Sequence, residues 1–111
     1  MLYVNLFADR SGPLLETSVN HALGLDAAAA RQASPLFWPA PSYGSLDAVA
    51  GSEDSAVYHR QSRSIVDAWR GGGIATRFAE VPGANHFTAI APLADPDSAM
   101  TGRLLKLALR R

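Results

Sequence analysis

The sequence predicts an α/β domain, with a short parallel sheet of two to three strands flanked by helices. Residues 46–111 alternate in the order strand, helix, strand, helix, which is typical of a βαβ unit followed by a packing helix. Residues 55–70 place apolar side chains at helical spacing and end at three glycines, as a helix does. The chain has 111 residues, of which 48% are hydrophobic. This is enough for one modest core and for one domain at most.

The first half of the chain predicts short elements. The apolar run 2–7 is either a short strand or a buried turn, because six residues do not distinguish the two. Pro13 suits the first turn of a helix, and Gly24 suits its end. Asp26 is placed to cap a short alanine-rich helix over residues 27–32.

The second half predicts longer elements after the proline-rich loop 34–43. Residues 46–51 form a strand, 55–70 a helix and 74–81 a second strand, and residues 95–98 begin a final helix. Parallel strands normally have neighbours on both sides. The outer edge of the first strand is therefore expected to be unpaired, so the segment resembles one end of a larger sheet.

Charge and composition argue against several partners and cofactors. Ten basic and ten acidic residues balance, so no electrostatic attraction to nucleic acid or to an anionic membrane is expected. Cysteine is absent, which removes disulfides and cysteine-type zinc sites and fits a cytoplasmic protein. The apolar start is too short for a membrane span. His59 and His86 lack a metal-ligand pattern, and glycines 71–73 end a helix instead of opening one. We expect no metal and no cofactor.

Two residues carry the main chemical signal. Asp54 follows the first predicted strand of the second half, and His86 follows the next one. The carboxyl ends of adjacent parallel strands meet at one edge of the sheet, so the two side chains are expected to meet there. A carboxylate in that position accepts a hydrogen bond from imidazole Nδ1–H. The order acid then histidine matches the last two members of a Ser–Asp–His triad.

Other interpretations of these residues remain open at this level. Asp54 is also suited to cap the helix beginning near Ser55. A loop histidine such as His86 is also typical of a purely structural role. Asn85 is a common turn former. Glu53 competes with Asp54 as the acid, although a solvated surface position is more typical of it.

The nucleophile of a triad has no counterpart in the 111 residues. No Gly-x-Ser-x-Gly occurs, and no strand–turn–helix upstream is suited to hold one. The sequence therefore predicts the acid and the histidine without their serine.

Four segments carry a family resemblance, namely residues 14–20, 34–41, 53–62 and 81–87. The last two are the most specific: an acid followed by Ser, an aromatic residue and Arg-Gln-Ser, and then an Asn-His-Phe loop. Over residues 14–109 the chain resembles the C-terminal part of the arylformamidase (kynurenine formamidase)-like branch of α/β-hydrolases, near the small-molecule esterases.

The resemblance implies roles for individual residues. Asp54 takes the part of the triad acid and His86 that of the general base, with Asn85 and Phe87 as pocket or supporting residues. The family often has Pro-Glu-Phe where this chain has Ala-Val-Tyr at residues 56–58. The start of the helix is therefore altered, but the position of the acid is not.

The resemblance also implies how the domain is organised. It implies a single partial hydrolase domain, with a helical and loop segment on the lid side at 1–45 and the acid and histidine carried by 46–111. The nucleophile turn and the His-Gly-Gly oxyanion loop belong to N-terminal family segments that have no counterpart here. Residues 1–10 match poorly.

The function implied is hydrolysis of a small amide or carboxylic ester through an acyl-serine intermediate. The substrate would bind only when an N-terminal half completes the site, and the chain by itself is expected to be inactive. The alternative is a non-catalytic pseudoenzyme or interaction module that pairs with a partner, or with itself, through an exposed sheet edge.

Overall fold

A computed structural model describes residues 2–4 and 18–109 of the chain. The strands and helices are β1 (Leu2–Val4), α1 (Ser18–Leu23), α2 (Ala27–Gln32), β2 (Ser45–Gly51), α3 (Ala56–Arg70), β3 (Ala75–Val81) and α4 (Ala99–Leu109). Short 3₁₀ turns lie at Pro35–Phe37 and Ala91–Ala94. The strand–helix–strand–helix order predicted for the second half is confirmed. Among these residues, no helix has the length and apolar character needed to cross a membrane.

The three strands form one parallel sheet in the order β1-β2-β3. Ala48 of β2 lies between Tyr3 of β1 and Phe78 of β3. The prediction that the outer edge of β2 is unpaired is therefore wrong, because β1 covers it. Six of the seven β2 residues are buried, as befits the central strand of a parallel sheet. A strand of three residues leaves too short a pattern to be recognised from the sequence.

The helix starts and stops of the first half follow the sequence where the structure describes them. Gly24 follows α1 with a φ of 66°, a left-handed conformation that favours glycine at a helix end. Asp26 caps α2, since its Oδ1 accepts a hydrogen bond from Ala29 N at 2.8 Å. The predicted helix start at Pro13 lies outside the described residues.

The hydrophobic core lies between α3 and one face of the sheet. Leu46 and Ala48 of β2 pack there against the inner side of α3, formed by Ile65, Val66 and Trp69, and against Ile74, which directly precedes β3. The spacing of apolar residues in α3 thus predicts the buried side of that helix correctly. The burial of one side of α3 fixes the position of its first turn, which begins two residues after Asp54.

A buried ion pair holds α4 at the opposite face of the sheet. Asp47 alternates with Leu46 and Ala48 along β2, so its side chain points to the face away from α3. Its carboxylate, 2% exposed, accepts hydrogen bonds from Arg103 of α4 at 2.7 Å and from Arg77 of β3 at 3.2 Å. Burial acts to raise the pKa of Asp47, but the hydrogen bonds and charges of the two arginines outweigh it. The pKa therefore lies below the ordinary value of 3.8.

Because of the ion pair, we expect the free energy of unfolding to fall in acid. Because the pKa of Asp47 is lowered in the folded state, its stabilising effect is complete above the ordinary pKa and is lost as the pH falls through the folded-state value. We expect Asp47→Asn to lower the free energy of unfolding by about 2 kcal/mol at neutral pH. The difference from the wild type should shrink as the pH falls below the ordinary pKa of 3.8 and through the lower folded-state value. Urea unfolding followed by circular dichroism measures both quantities.

A matched control for this experiment is Asp67→Asn. Asp67 is an exposed acid of α3 that lies 3.7 Å from Arg70, and exposed pairs contribute about 0–1 kcal/mol. Equal stability of Asp47→Asn and the wild type at neutral pH would show that the pair does not stabilise the fold.

Candidate active site

Asp54 lies in the loop between β2 and α3 with its carboxyl group turned inward. Its side chain is 1% exposed, and Oδ2 accepts a hydrogen bond from the backbone N–H of Gly51 at 2.9 Å. The N-cap of α3 is Ser55. The helix-cap interpretation of Asp54 is therefore wrong, and its carboxyl is bonded to the loop at the end of β2.

His86 lies in the loop after β3, and its imidazole faces Asp54. The distance from His86 Nδ1 to Asp54 Oδ1 is 3.4 Å. This exceeds the usual hydrogen-bond range, although such contacts between catalytic groups often tighten when substrate binds. Oδ1 is buried and has no hydrogen-bond partner among residues 2–4 and 18–109. A buried carboxyl oxygen without a donor is costly, and an Nδ1–H of His86 is placed to supply one.

The acid loop and the histidine loop are bonded to each other. Glu53 N donates to Ala84 O at 2.9 Å, and Ser52 N donates to Val81 O at 2.9 Å. Gly83 N donates to the hydroxyl of Ser52 at 2.8 Å. The side chain of Glu53 is exposed, so the buried carboxyl beside His86 is that of Asp54.

Gly51 allows this close approach. A Cβ atom at this position would lie 2.2 Å from the carbonyl oxygen of Ala84, far inside van der Waals contact. Only a residue without a side chain lets the end of β2 and the start of the histidine loop touch.

Asn85 and Phe87 flank the histidine in different ways. Asn85 Oδ1 accepts hydrogen bonds from the N–H groups of Phe87 at 2.9 Å and Thr88 at 3.1 Å, which shapes the turn that holds His86. The Phe87 ring meets the imidazole edge-on, with centroids 5.7 Å apart, and its side chain is 87% exposed. Asn85 thus supports the loop, and Phe87 forms an apolar surface next to the imidazole.

Tyr58 is a further residue of the site that sequence reasoning did not identify. Its ring stacks on the imidazole of His86, with centroids 4.5 Å apart and planes 22° apart. The sequence feature that could have identified Tyr58 is its position four residues after Asp54, in the first turn of the helix that follows the acid loop. The sequence motif over residues 53–62 includes Tyr58, but it does not indicate a contact with the histidine.

Other polar side chains lie away from this pair. His59 pairs with Glu80 at 3.1 Å and meets Phe78 edge-on. A cavity of about 250 Å³ lies between the sheet and α4, and neither Asp54 nor His86 lines it. No group of three or more His, Asp or Glu side chains in the described ranges is placed to hold a metal ion.

Two solved structures share this architecture: the native and the propionate-bound forms of a thermophilic esterase from the Planctomycetes species Thermogutta terrifontis. Both are 20% identical to this chain, with TM-scores of 0.56 and 0.54. The fold is that of the C-terminal part of an esterase. Each match covers 96% of this chain but only 39% of the esterase chain. No model of a known family and no curated protein matches the sequence.

The esterase comparison confirms the predicted fold class. It also supports the predicted resemblance to esterases. At this level of identity the likeness concerns the fold. It does not single out the arylformamidase branch.

Proposed function

We propose that this chain supplies the Asp54–His86 pair of a Ser–Asp–His triad that hydrolyses a small carboxylic ester or amide. The nucleophile serine would lie on a segment outside these 111 residues. The observation that carries the proposal is the buried Asp54 Oδ1, 3.4 Å from His86 Nδ1. The two residues follow neighbouring parallel strands, where triad chemistry requires an acid and a histidine.

The geometry fits a defined proton path. With Nδ1–H donating to Asp54, the imidazole of His86 keeps Nε2 as the acceptor for the serine proton. The buried carboxylate then stabilises the imidazolium that forms, and Nε2 returns the proton to the leaving alcohol or amine. The side chain of His86 is 40% exposed, which leaves room for a serine on another segment to reach it.

The open side of β1 is where we place the missing segment. Within the described residues β1 pairs with β2 alone, so its outer edge presents unpaired backbone groups. The esterase chain continues well beyond the 39% that this chain matches. A strand added next to β1 would bring the turn that follows it to the same edge of the sheet as Asp54 and His86.

Short acyl esters are the first substrate class to test. One structure of the related esterase contains propionate, a short carboxylate of the kind released by ester hydrolysis. N-Formylkynurenine and related formamides are the second class, because the motifs around Asp54 and His86 resemble arylformamidases.

The imidazole tautomer tests the Asp54–His86 pair directly. Long-range ¹H–¹⁵N correlation spectra of the 111-residue chain should show neutral His86 mainly as the Nδ1–H form. Asp54→Asn should shift it towards the Nε2–H form, because the carboxylate acceptor is lost, and Glu53→Gln should leave it unchanged. An unchanged tautomer in Asp54→Asn would remove the basis of the proposal.

A second candidate function is favoured by the same open edge of β1. The chain would then be a non-catalytic module that pairs through this edge with a partner or with a second copy of itself. Size-exclusion chromatography with light scattering separates this self-association from the monomer. A concentration-independent monomer would argue against pairing between copies.

A further inference from the structure

We infer that Tyr58 is a positioning residue that holds the imidazole of His86 in line with Asp54. The inference rests on the proposed function. The Tyr58 and His86 rings lie 4.5 Å apart at 22°, within the geometry of stacked aromatic pairs. One face of the imidazole is thereby fixed by Tyr58, while its Nδ1 points to Asp54.

Tyr58 lies on a helix that packs in the core, whereas His86 lies in a loop. Tyr58 belongs to the first turn of α3, and its N–H donates to the carbonyl of Ser55 at 3.1 Å. The same helix is anchored in the core through Ile65 and Trp69. His86 lies in a turn region outside any helix or strand. The stack therefore transfers the rigidity of α3 to the side chain of a loop residue.

Phe87, the other ring that contacts the imidazole within the described part of the chain, is unsuited to this task. Phe87 meets His86 edge-on and is 87% exposed, so little protein surrounds it to hold it still. The gap of 3.4 Å between Nδ1 and Oδ1 leaves little tolerance for rotation of the imidazole. A misplacement of about 1 Å in a catalytic group lowers rates by about two orders of magnitude.

The aromatic ring of Tyr58, and not its hydroxyl group, makes this contact. Tyr58→Phe keeps the ring, and Tyr58→Leu replaces it with an apolar side chain that does not stack. Tyr43 is 85% exposed, so Tyr43→Leu removes a tyrosine at the surface and serves as the matched control.

The test uses NMR of the 111-residue chain and requires no catalysis. In the wild type, the ring protons of His86 should be shifted upfield by the Tyr58 ring and show cross-relaxation with it. Tyr58→Phe should keep the upfield shift and the Nδ1–H to Nε2–H ratio. Tyr58→Leu should abolish the shift and lower that ratio by up to about fivefold, the limit reached if the whole free energy of one stacked pair acts on the tautomer. Tyr43→Leu should change neither.

The results distinguish the proposed Asp54–His86 pair from the proposed positioning role of Tyr58. If Asp54→Asn changes the tautomer ratio while a folded Tyr58→Leu does not, the positioning role of Tyr58 is wrong and the Asp54–His86 pair stands. If Asp54→Asn has no effect, the pair itself is wrong. Should Tyr58→Leu fail to fold, the wild-type spectra still decide, because absence of cross-relaxation between the two rings would overturn the inference.

Discussion

The purified 111-residue chain is expected to hydrolyse p-nitrophenyl propionate no faster than its own His86→Ala variant. An acid–histidine pair moves a proton but needs a serine to attack the ester and donors to stabilise the oxyanion, and the sequence contains no Gly-x-Ser-x-Gly. Loss of a triad nucleophile alone costs about 10⁶-fold in rate in the best-studied serine hydrolases. Release of p-nitrophenol measures ester hydrolysis, and labelling by a fluorophosphonate probe detects a reactive serine. Saturable turnover that depends on His86 would contradict it.

Supplying the nucleophile should reverse the result. The experiment joins this chain to a segment that carries the serine turn and the oxyanion donors, or produces the two together. In an active assembly, His86→Ala is expected to lower kcat by about 10⁴-fold or more. Asp54→Asn should lower kcat by about 10⁴-fold through the wrong imidazole tautomer. Glu53→Gln is the control and should retain full activity, because its side chain is exposed beside the buried Asp54. An active assembly that tolerates His86→Ala would show that another base does this work.

Gly51→Ala is expected to lower the stability of the fold. The new Cβ would lie 2.2 Å from the backbone carbonyl of Ala84, and a backbone atom has no rotamer with which to move aside. Overpacking of this kind costs about 1–3 kcal/mol. The displaced loop also carries His86, so the population of its Nδ1–H tautomer should fall. The free energy of unfolding should fall with it. Urea unfolding and ¹H–¹⁵N spectra measure the two effects.

Gly102→Ala is the matched control for this substitution. Gly102 lies inside α4, and a Cβ there would meet nothing within 4 Å. Replacing a helical glycine by alanine should stabilise the chain by up to about 1 kcal/mol. A Gly51→Ala variant as stable as the wild type would show that the two loops do not need their close contact.

The sequence predicts the site residues better than their surroundings. Asp54 and His86 each follow a strand of clear pattern, so their meeting at one edge follows from the rule for parallel strands. β1 is too short for its pattern to be read. Nothing local predicts that Arg103 reaches Asp47, because the two are joined only through the three-dimensional packing of α4.

The interpretation of Asp54 shows where local rules stop. An acid before a helix predicts a cap, and a strand before an acid predicts a triad member, so the sequence supports both. The structure excludes the cap, because Oδ2 is bonded to Gly51 N and Ser55 takes the N-cap position. The stack of Tyr58 on His86 depends in the same way on side-chain directions that spacing alone does not predict.

The hydrogen bonds between the two loops have a consequence for the proposed assembly with a serine-carrying segment. They build the alignment of acid and histidine within one polypeptide, through Glu53, Ser52 and Gly83. If another segment supplies the serine, as proposed, the contact between serine and imidazole would form across that boundary, whereas the contact between Asp54 and His86 would not. Under that proposal, a reporter made by producing the serine-carrying segment and this chain separately would keep the acid–histidine pair within one fragment, so its signal would depend on the proximity of the two pieces.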